Sequence, residues 1–139
     1  MNNKALNYLA LAKKGRLIEL GEEPVGAITR AVKGRLVIVA SDASDHTWRR
    51  AKSFVAGTDQ QCLRVPFSKE ELGFVVGRTS LAIAAFTDAA MALAFVKALP
   101  DQEKVKEVRE ILDAKSKKLR QRKDEAKAHE RNVRLGKKK

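Results

Sequence analysis

The sequence predicts an α/β fold: a three-layer α/β/α sandwich around a four-stranded mixed sheet, followed by a charged, helical C-terminal extension. Three observations predict it. Helix-period and strand-like segments alternate up to residue 99, the pattern of a sheet covered by helices on both faces. Two runs, Leu36-Val37-Ile38-Val39-Ala40 and Leu81-Ala82-Ile83-Ala84-Ala85-Phe86, have no polar alternate, as expected of strands buried on both sides. The charge pattern changes at Pro100: residues 1–100 hold 14 basic and 9 acidic side chains, a net of +5, whereas residues 101–139 hold 15 and 8, a net of +7. These observations divide the chain into a globular domain, 1–100, and a basic tail, 101–139, partly helical or disordered.

Each element has a local reason. Asn2 or Asn3 can cap a first helix whose inward residues are Leu6, Leu9 and Ala10. Lys13-Lys14-Gly15-Arg16 ends it, with basic groups where the helix dipole favours them. Leu17, Ile18 and Leu20 form a short strand broken by Gly21, and this strand can run antiparallel to its neighbour. Glu22 and Glu23 fall in the first turn of a second helix, where backbone N–H groups lack partners, and Pro24 is tolerated there. Val25, Ile28 and Val32 recur at helical spacing, Arg30 and Lys33 fall off that stripe, and Gly34 stops the helix. After the Leu36–Ala40 strand, Ser44 or Asp45 caps a third helix with Trp48, Ala51 and Val55 inward and Arg49, Arg50 and Lys52 elsewhere; Gly57 closes it.

Cys62-Leu63-Arg64-Val65 is a short strand ended by Pro66. Ser68-Lys69-Glu70-Glu71 is a capping box for a short helix through Leu72, with Gly73 and Gly77 bracketing its exit. Following the Leu81–Phe86 strand, Thr87 or Asp88 caps a helix that is apolar nearly all round through Leu99 and hence buried. In the tail, Val105, Val108, Leu112 and Leu119 sit at i, i+3, i+7 and i+14, with Lys115 interrupting the stripe. This predicts a helix from about Asp101 that loses its apolar face beyond Leu119, supported by Glu103 with Lys106 and Glu110 with Lys117. Two roles stay open for it: a solvated helix packing only its first turns, or a basic arm for a polyanion that ends in Lys137-Lys138-Lys139.

The bulk quantities narrow the function. A chain of 139 residues can bury a core without cross-links, and the single cysteine, Cys62, excludes a disulfide framework or a multi-cysteine metal site. Neither a signal peptide nor a membrane-spanning run is evident, so a soluble cytoplasmic protein without a membrane role is expected. The net charge of +12 points to a polyanionic partner, because each phosphate contact releases counterions. Catalysis lacks a constellation. Ser44-Asp45-His46 has triad residue types at adjacent positions, which cannot give triad geometry. His46 reads as a surface residue and His129 lies in the tail. Gly21 to Gly26 lacks the Gly-Lys-Ser/Thr ending of a phosphate-binding loop. Cys62 reads as a core residue. Five Phe, one Tyr and one Trp, in apolar settings, make no base-stacking platform. No enzyme activity, metal, cofactor or small-molecule substrate is expected.

The start of the second helix has both a structural and a functional reading. Gly-Glu-Glu stabilises a helix N-terminus through the dipole alone. The same residues present N–H groups, carboxylates able to accept from base edges, and basic side chains one turn on, which suits RNA with exposed base edges.

Residues 4–99 resemble the ribosomal L-seven-Ae/L-thirty-e family of kink-turn RNA-binding proteins, and in particular its small bacterial YlxQ-type branch. The resemblance is carried by Leu11-Ala12-Lys13-Lys14-Gly15-Arg16-Leu17, Gly21-Glu22-Glu23, Leu36-Val37-Ile38-Val39-Ala40-Ser41-Asp42-Ala43-Ser44, Ser68-Lys69-Glu70-Glu71-Leu72-Gly73 and Gly77-Arg78-Thr79-Ser80. It implies an RNA site built from the first turn of the second helix and the loop before the last strand: Gly21, Glu22, Glu23, Arg30, Arg78, Thr79, Ser80 and Leu81. The kink-turn binders carry Gly-x-Asn-Glu followed by a lysine; here Gly21, Glu22, Glu23 and Pro24 occupy those positions, so the chain keeps the glycine but has Glu23 for the asparagine, Pro24 for the glutamate and Ala27 for the lysine. By resemblance, Glu23 would accept from a purine edge, N–H groups at Gly21 and Glu22 with Arg30 would hold phosphate, and Thr79, Ser80 and Leu81 would close over the kink, Leu81 as an apolar tip. Lys13, Lys14, Arg16 and Lys33 would supply flanking basic contacts. The implied partner is structured RNA, ribosomal RNA and the ribosome foremost. The alternative is a protein-interaction module that keeps the fold without kink-turn specificity.

Overall fold

The computed structural model describes residues 4–134, with side chains through Lys127. The expected cap at Asn2 or Asn3, the His129 side chain and the terminal Lys137–Lys139 lie outside the described residues. The elements run α1 (Lys4–Lys14), β1 (Ile18–Leu20), α2 (Glu22–Arg30), β2 (Leu36–Val39), α3 (Asp45–Val55), β3 (Gln61–Arg64), α4 (Lys69–Val75), β4 (Ile83–Phe86), α5 (Ala89–Lys97) and α6 (Lys106–Arg134). The four strands form one sheet in the order β1-β4-β2-β3. β4 is antiparallel to both neighbours, with Ile18 and Leu36 opposite Phe86, while β2 and β3 are parallel. The expected α/β/α sandwich and mixed sheet are therefore present.

The two apolar runs became the two central strands, and their alternation supplies two cores. Leu36, Ile38, Ala84 and Phe86 face one side, against Leu9 of α1, Leu72 of α4 and Phe95 of α5. Phe86 and Phe95 meet with ring centroids 5.1 Å apart in a tilted arrangement. Val37, Val39, Ile83 and Ala85 face the other side, against Val25 of α2 and Ala51 of α3. Trp48 and Val55, expected inward, are half-buried beside that second core. The break at Pro100 is not a packing boundary: Val105 and Leu112, 3% and 0% exposed, belong to the first core. α6 begins at Lys106 rather than Asp101, packs its first turns on α5, and is exposed from Lys117 to Lys127. Within the helix Lys117 pairs with Asp113 at 3.0 Å rather than with the expected Glu110.

Two helix ends differ from expectation. α2 stops at Arg30, one turn before Gly34, so Val32 is not inward: it is 51% exposed, with φ at +55°. The cause is Gln60, a buried amide that donates to the Thr29 carbonyl (3.1 Å) and accepts from the Gly34 N–H (2.8 Å), taking groups that another helical turn would use. Thr29 fills the inward position instead, its hydroxyl donating to the Val25 carbonyl at 2.8 Å. α4 carries the expected reciprocal box between Ser68 and Glu71 but continues to Val75, so Gly73 lies inside the helix rather than at its exit.

Candidate nucleic-acid interface

The chain direction of each strand decides what meets at the sheet's ends. The C-terminal ends of β1, β2 and β3 and the N-terminal end of β4 share one end. Gly21 leaves β1 there, its N–H donating to the Ile83 carbonyl at 3.0 Å. Its φ of +96° and ψ of 161° are open to glycine and strained for other residues. No side chain caps α2, so the N–H groups of Glu22 and Glu23 remain as donors at the positive end of the helix; Pro24 has none, and the Gly21 N–H is already used. Only part of the expected N–H set is thus available.

The loop before β4 reaches the same place. The Arg78 N–H donates to the Gly73 carbonyl at 2.8 Å and the Leu81 N–H to the Lys69 carbonyl at 2.9 Å, so the loop is stitched across α4. Glycine at 73 permits this: a Cβ there would lie 2.8 Å from the Arg78 oxygen and the Ser80 nitrogen. The fold directs the Arg78 guanidinium to Gly21, where one nitrogen lies 3.6 Å from the position of a would-be Cβ. Thr79 and Ser80 are exposed beside it. Leu81 is not an apolar tip: it is 2% exposed and part of the first core, because the loop must turn inward there to enter a central strand.

α3 adds groups that sequence reasoning sent elsewhere. Ser44 caps it, and His46, Arg50 and Phe54 follow at successive i, i+4 steps along the face toward α2. Arg50 Nε donates to Glu22 Oε1 at 2.6 Å, and its guanidinium lies 5.0 Å from the Phe54 ring centroid. Gly26 lets the helices approach, since a Cβ there would sit 3.3 Å from both the Phe54 ring and an Arg30 guanidinium nitrogen. Glu22, Glu23, Arg30, His46, Arg50 and Phe54 thereby line one polar groove of about 680 Å³ that opens from the Gly21 turn. The i, i+4 spacing of His46, Arg50 and Phe54 was the available signal for that face.

The flanking basic residues are not part of this arrangement. Arg16 and Leu17 precede β1, and the Leu17 carbonyl accepts from Thr87 beyond β4, which fixes Lys13, Lys14 and Arg16 at the opposite end of the sheet. Lys33 precedes β2, where the Arg35 N–H donates to the Phe86 carbonyl at 2.7 Å, again at the remote end. Nearness in sequence to Gly21 is undone by the length of β1 for Lys13, Lys14 and Arg16 and by that of α2 for Lys33.

The groove offers charged and hydrogen-bonding side chains. Burial pushes the Cys62 thiol up to about 12 against a smaller lowering by Lys52, so the thiolate nucleophile is suppressed. Among the described residues no His, Cys, Asp and Glu group together as metal ligands, and no helix is long and apolar enough to cross a membrane.

No family model matches the chain. The RNA-binding protein YlxQ of Enterococcus faecium is 32% identical over 75 residues, covering 54% of this chain and 72% of that protein. A Bacillus halodurans protein of unknown function superposes with a TM-score of 0.64 at 24% identity, over 70% of this chain and 98% of the other. The Giardia lamblia 15.5kD RNA-binding protein superposes with a TM-score of 0.53 at 18% identity, over 78% of this chain and 87% of its own length. These two solved structures share the fold.

Proposed function

The chain belongs to the YlxQ-type branch of the L-seven-Ae/L-thirty-e family, and from that premise we propose that it is a non-catalytic RNA-binding protein that recognises structured, kink-turn-like RNA in a ribosomal setting in the cytoplasm. The observation that carries the reading is the meeting of Arg78 with the uncapped start of α2 at Gly21. The open N–H groups of Glu22 and Glu23 and the Arg78 guanidinium present donors on one surface, which suits a phosphate placed where the RNA backbone bends. Glu23, exposed and without an ion pair among the described residues, accepts from an exposed purine edge, while Glu22 is engaged by Arg50. Thr79 and Ser80 hydrogen-bond the sugar–phosphate backbone, and Arg30 lines the groove along which a strand continues. Leu81 contributes by holding the loop, not by touching a base. The name of the Enterococcus relative supports the RNA part of this reading; the net charge of +12 supports a ribonucleoprotein setting.

Gel-shift titrations against a consensus kink-turn, a bulged stem and a plain duplex test it. The kink-turn should bind at least about tenfold more tightly than the duplex, and Arg78→Ala should remove most of that preference, as loss of a charged hydrogen bond costs about 1.5–3 kcal/mol. Equal affinity for all three RNAs, unmoved by Arg78→Ala, would overturn kink-turn recognition, and binding to none of them would favour the protein-interaction alternative.

A further inference from the structure

The end of the sheet remote from Gly21 gathers cations from separate parts of the chain. Arg35 at the entry of β2 lines one concavity of about 210 Å³ with Lys115, Lys118 and Arg122 of α6. The three α6 residues follow at i, i+3 and i+7 and so share one face. Arg16 and Lys33 stand on the turns that open β1 and β2 at this same end. The nearby acids are already engaged: Asp59 pairs with Lys115 Nζ at 3.3 Å, which occupies Lys115 as well and leaves Arg35, Lys118 and Arg122 as the concavity's open cations, and Asp88 caps α5 by accepting from the Met91 N–H at 2.9 Å. Residues 115–123 carry six basic side chains and no acid.

Helix-dipole compensation accounts for Lys33 near the end of α2. It does not account for Arg35, which stands just before β2, or for three cations in the middle of a helix. Lys115 to Arg122 spans about 10 Å of helix, over which a nucleic-acid strand presents roughly three phosphates at its ~3.4 Å charge spacing. No aromatic side chain lines the concavity, which argues against stacked single-stranded bases. Leu119, 38% exposed, is its one sizeable apolar group in the open, too little for a membrane-binding face. We propose that this end of the sheet is a second RNA-binding surface that takes the phosphate backbone of double-stranded RNA, so that one molecule grips RNA at both ends of its sheet. Duplex binding at this end does not need the Gly21 reading, because a plain duplex offers no kink; only the grip at both ends rests on it.

The test is fluorescence anisotropy with an unbulged 20-base-pair RNA duplex and the full chain, between 50 and 300 mM salt. The parent should bind with a salt slope of about −3 to −4, and Lys118→Ala with Arg122→Ala should bring it about 2 closer to zero while lowering affinity roughly tenfold or more at 100 mM. Lys117→Ala with Arg120→Ala removes the same charge on another face of α6, Arg120 lining a different concavity with Lys4 and Lys97, and should have much the smaller effect. All four residues are exposed, so melts should match the parent. A parent that does not bind the duplex, or equal losses from the two pairs, would overturn the second surface. Loss of kink-turn preference with the duplex slopes as predicted would count against the Gly21 reading alone.

Discussion

Val32 shows how a single position can carry stored strain. A β-branched residue at φ +55° pays roughly 1–2 kcal/mol for the left-handed conformation. It recovers little by burial, being half exposed. Val32→Gly should therefore raise stability by up to about 1 kcal/mol, the relief exceeding glycine's extra unfolded-state entropy of about 0.5–1 kcal/mol; urea unfolding reads the sign directly. Gly73 is the opposite case. A methyl group there would meet backbone atoms of Arg78 and Ser80, which have no rotamer to change. Gly73→Ala should cost about 1–3 kcal/mol and displace Arg78 from Gly21, lowering stability and kink-turn preference together. Cys62 gives a third expectation. With its thiol held protonated to about pH 12, iodoacetamide at pH 8 should label it far more slowly in the folded chain than in urea.

At the scale of elements, the sequence was most informative where one requirement dominated. The runs at 36–40 and 81–86 have no polar residue, the mark of strands covered on both faces, and β2 and β4 are the central pair. The Ser68–Glu71 box needs only local geometry and is formed as expected. Reading failed where a distant residue decided. The end of α2 is set by Gln60, about thirty positions away, which no helical periodicity within α2 contains. Leu81 is a loop tip by the family resemblance, yet it is buried in the first core, as its place in the apolar run suggests. Lys13, Lys14, Arg16 and Lys33 are close to Gly21 along the chain, and only strand direction sends them to the other end. The same logic predicts the sensitivity of β2. Val37 and Ile38 point into different cores, each fully buried, so Val37→Asp and Ile38→Asp should each abolish cooperative unfolding by burying an unpaired charge. A variant that melts near the parent would mean that its face is wetter than the packing indicates.

For the whole molecule, the distribution of charge and the distribution of packing divide the chain at different places. Charge changes at Pro100, where the acid-diluted domain gives way to the basic tail. Packing continues through Val105, Leu112 and Ser116, all buried, and the exposed stretch starts only at Lys117. α6 thus does two things in sequence: its first turns close the core over α5, and its next turn carries Lys118 and Arg122 to the remote end of the sheet. Truncations separate these roles. A chain ending after Pro100 loses two fully packed aliphatic side chains, each worth about 2–5 kcal/mol by analogy with large-to-small core substitutions, against a total stability of about 5–15 kcal/mol. It should melt far below the parent or fail to fold. A chain ending after Lys123 keeps every buried contact named above and the whole Lys115–Arg122 face, so its melt and its duplex salt slope should stay close to the parent's. If ending at Lys123 instead flattened the slope as much as Lys118→Ala with Arg122→Ala, the phosphate contacts would lie farther along the tail, and circular-dichroism melts of both truncations would show whether folding was lost with them.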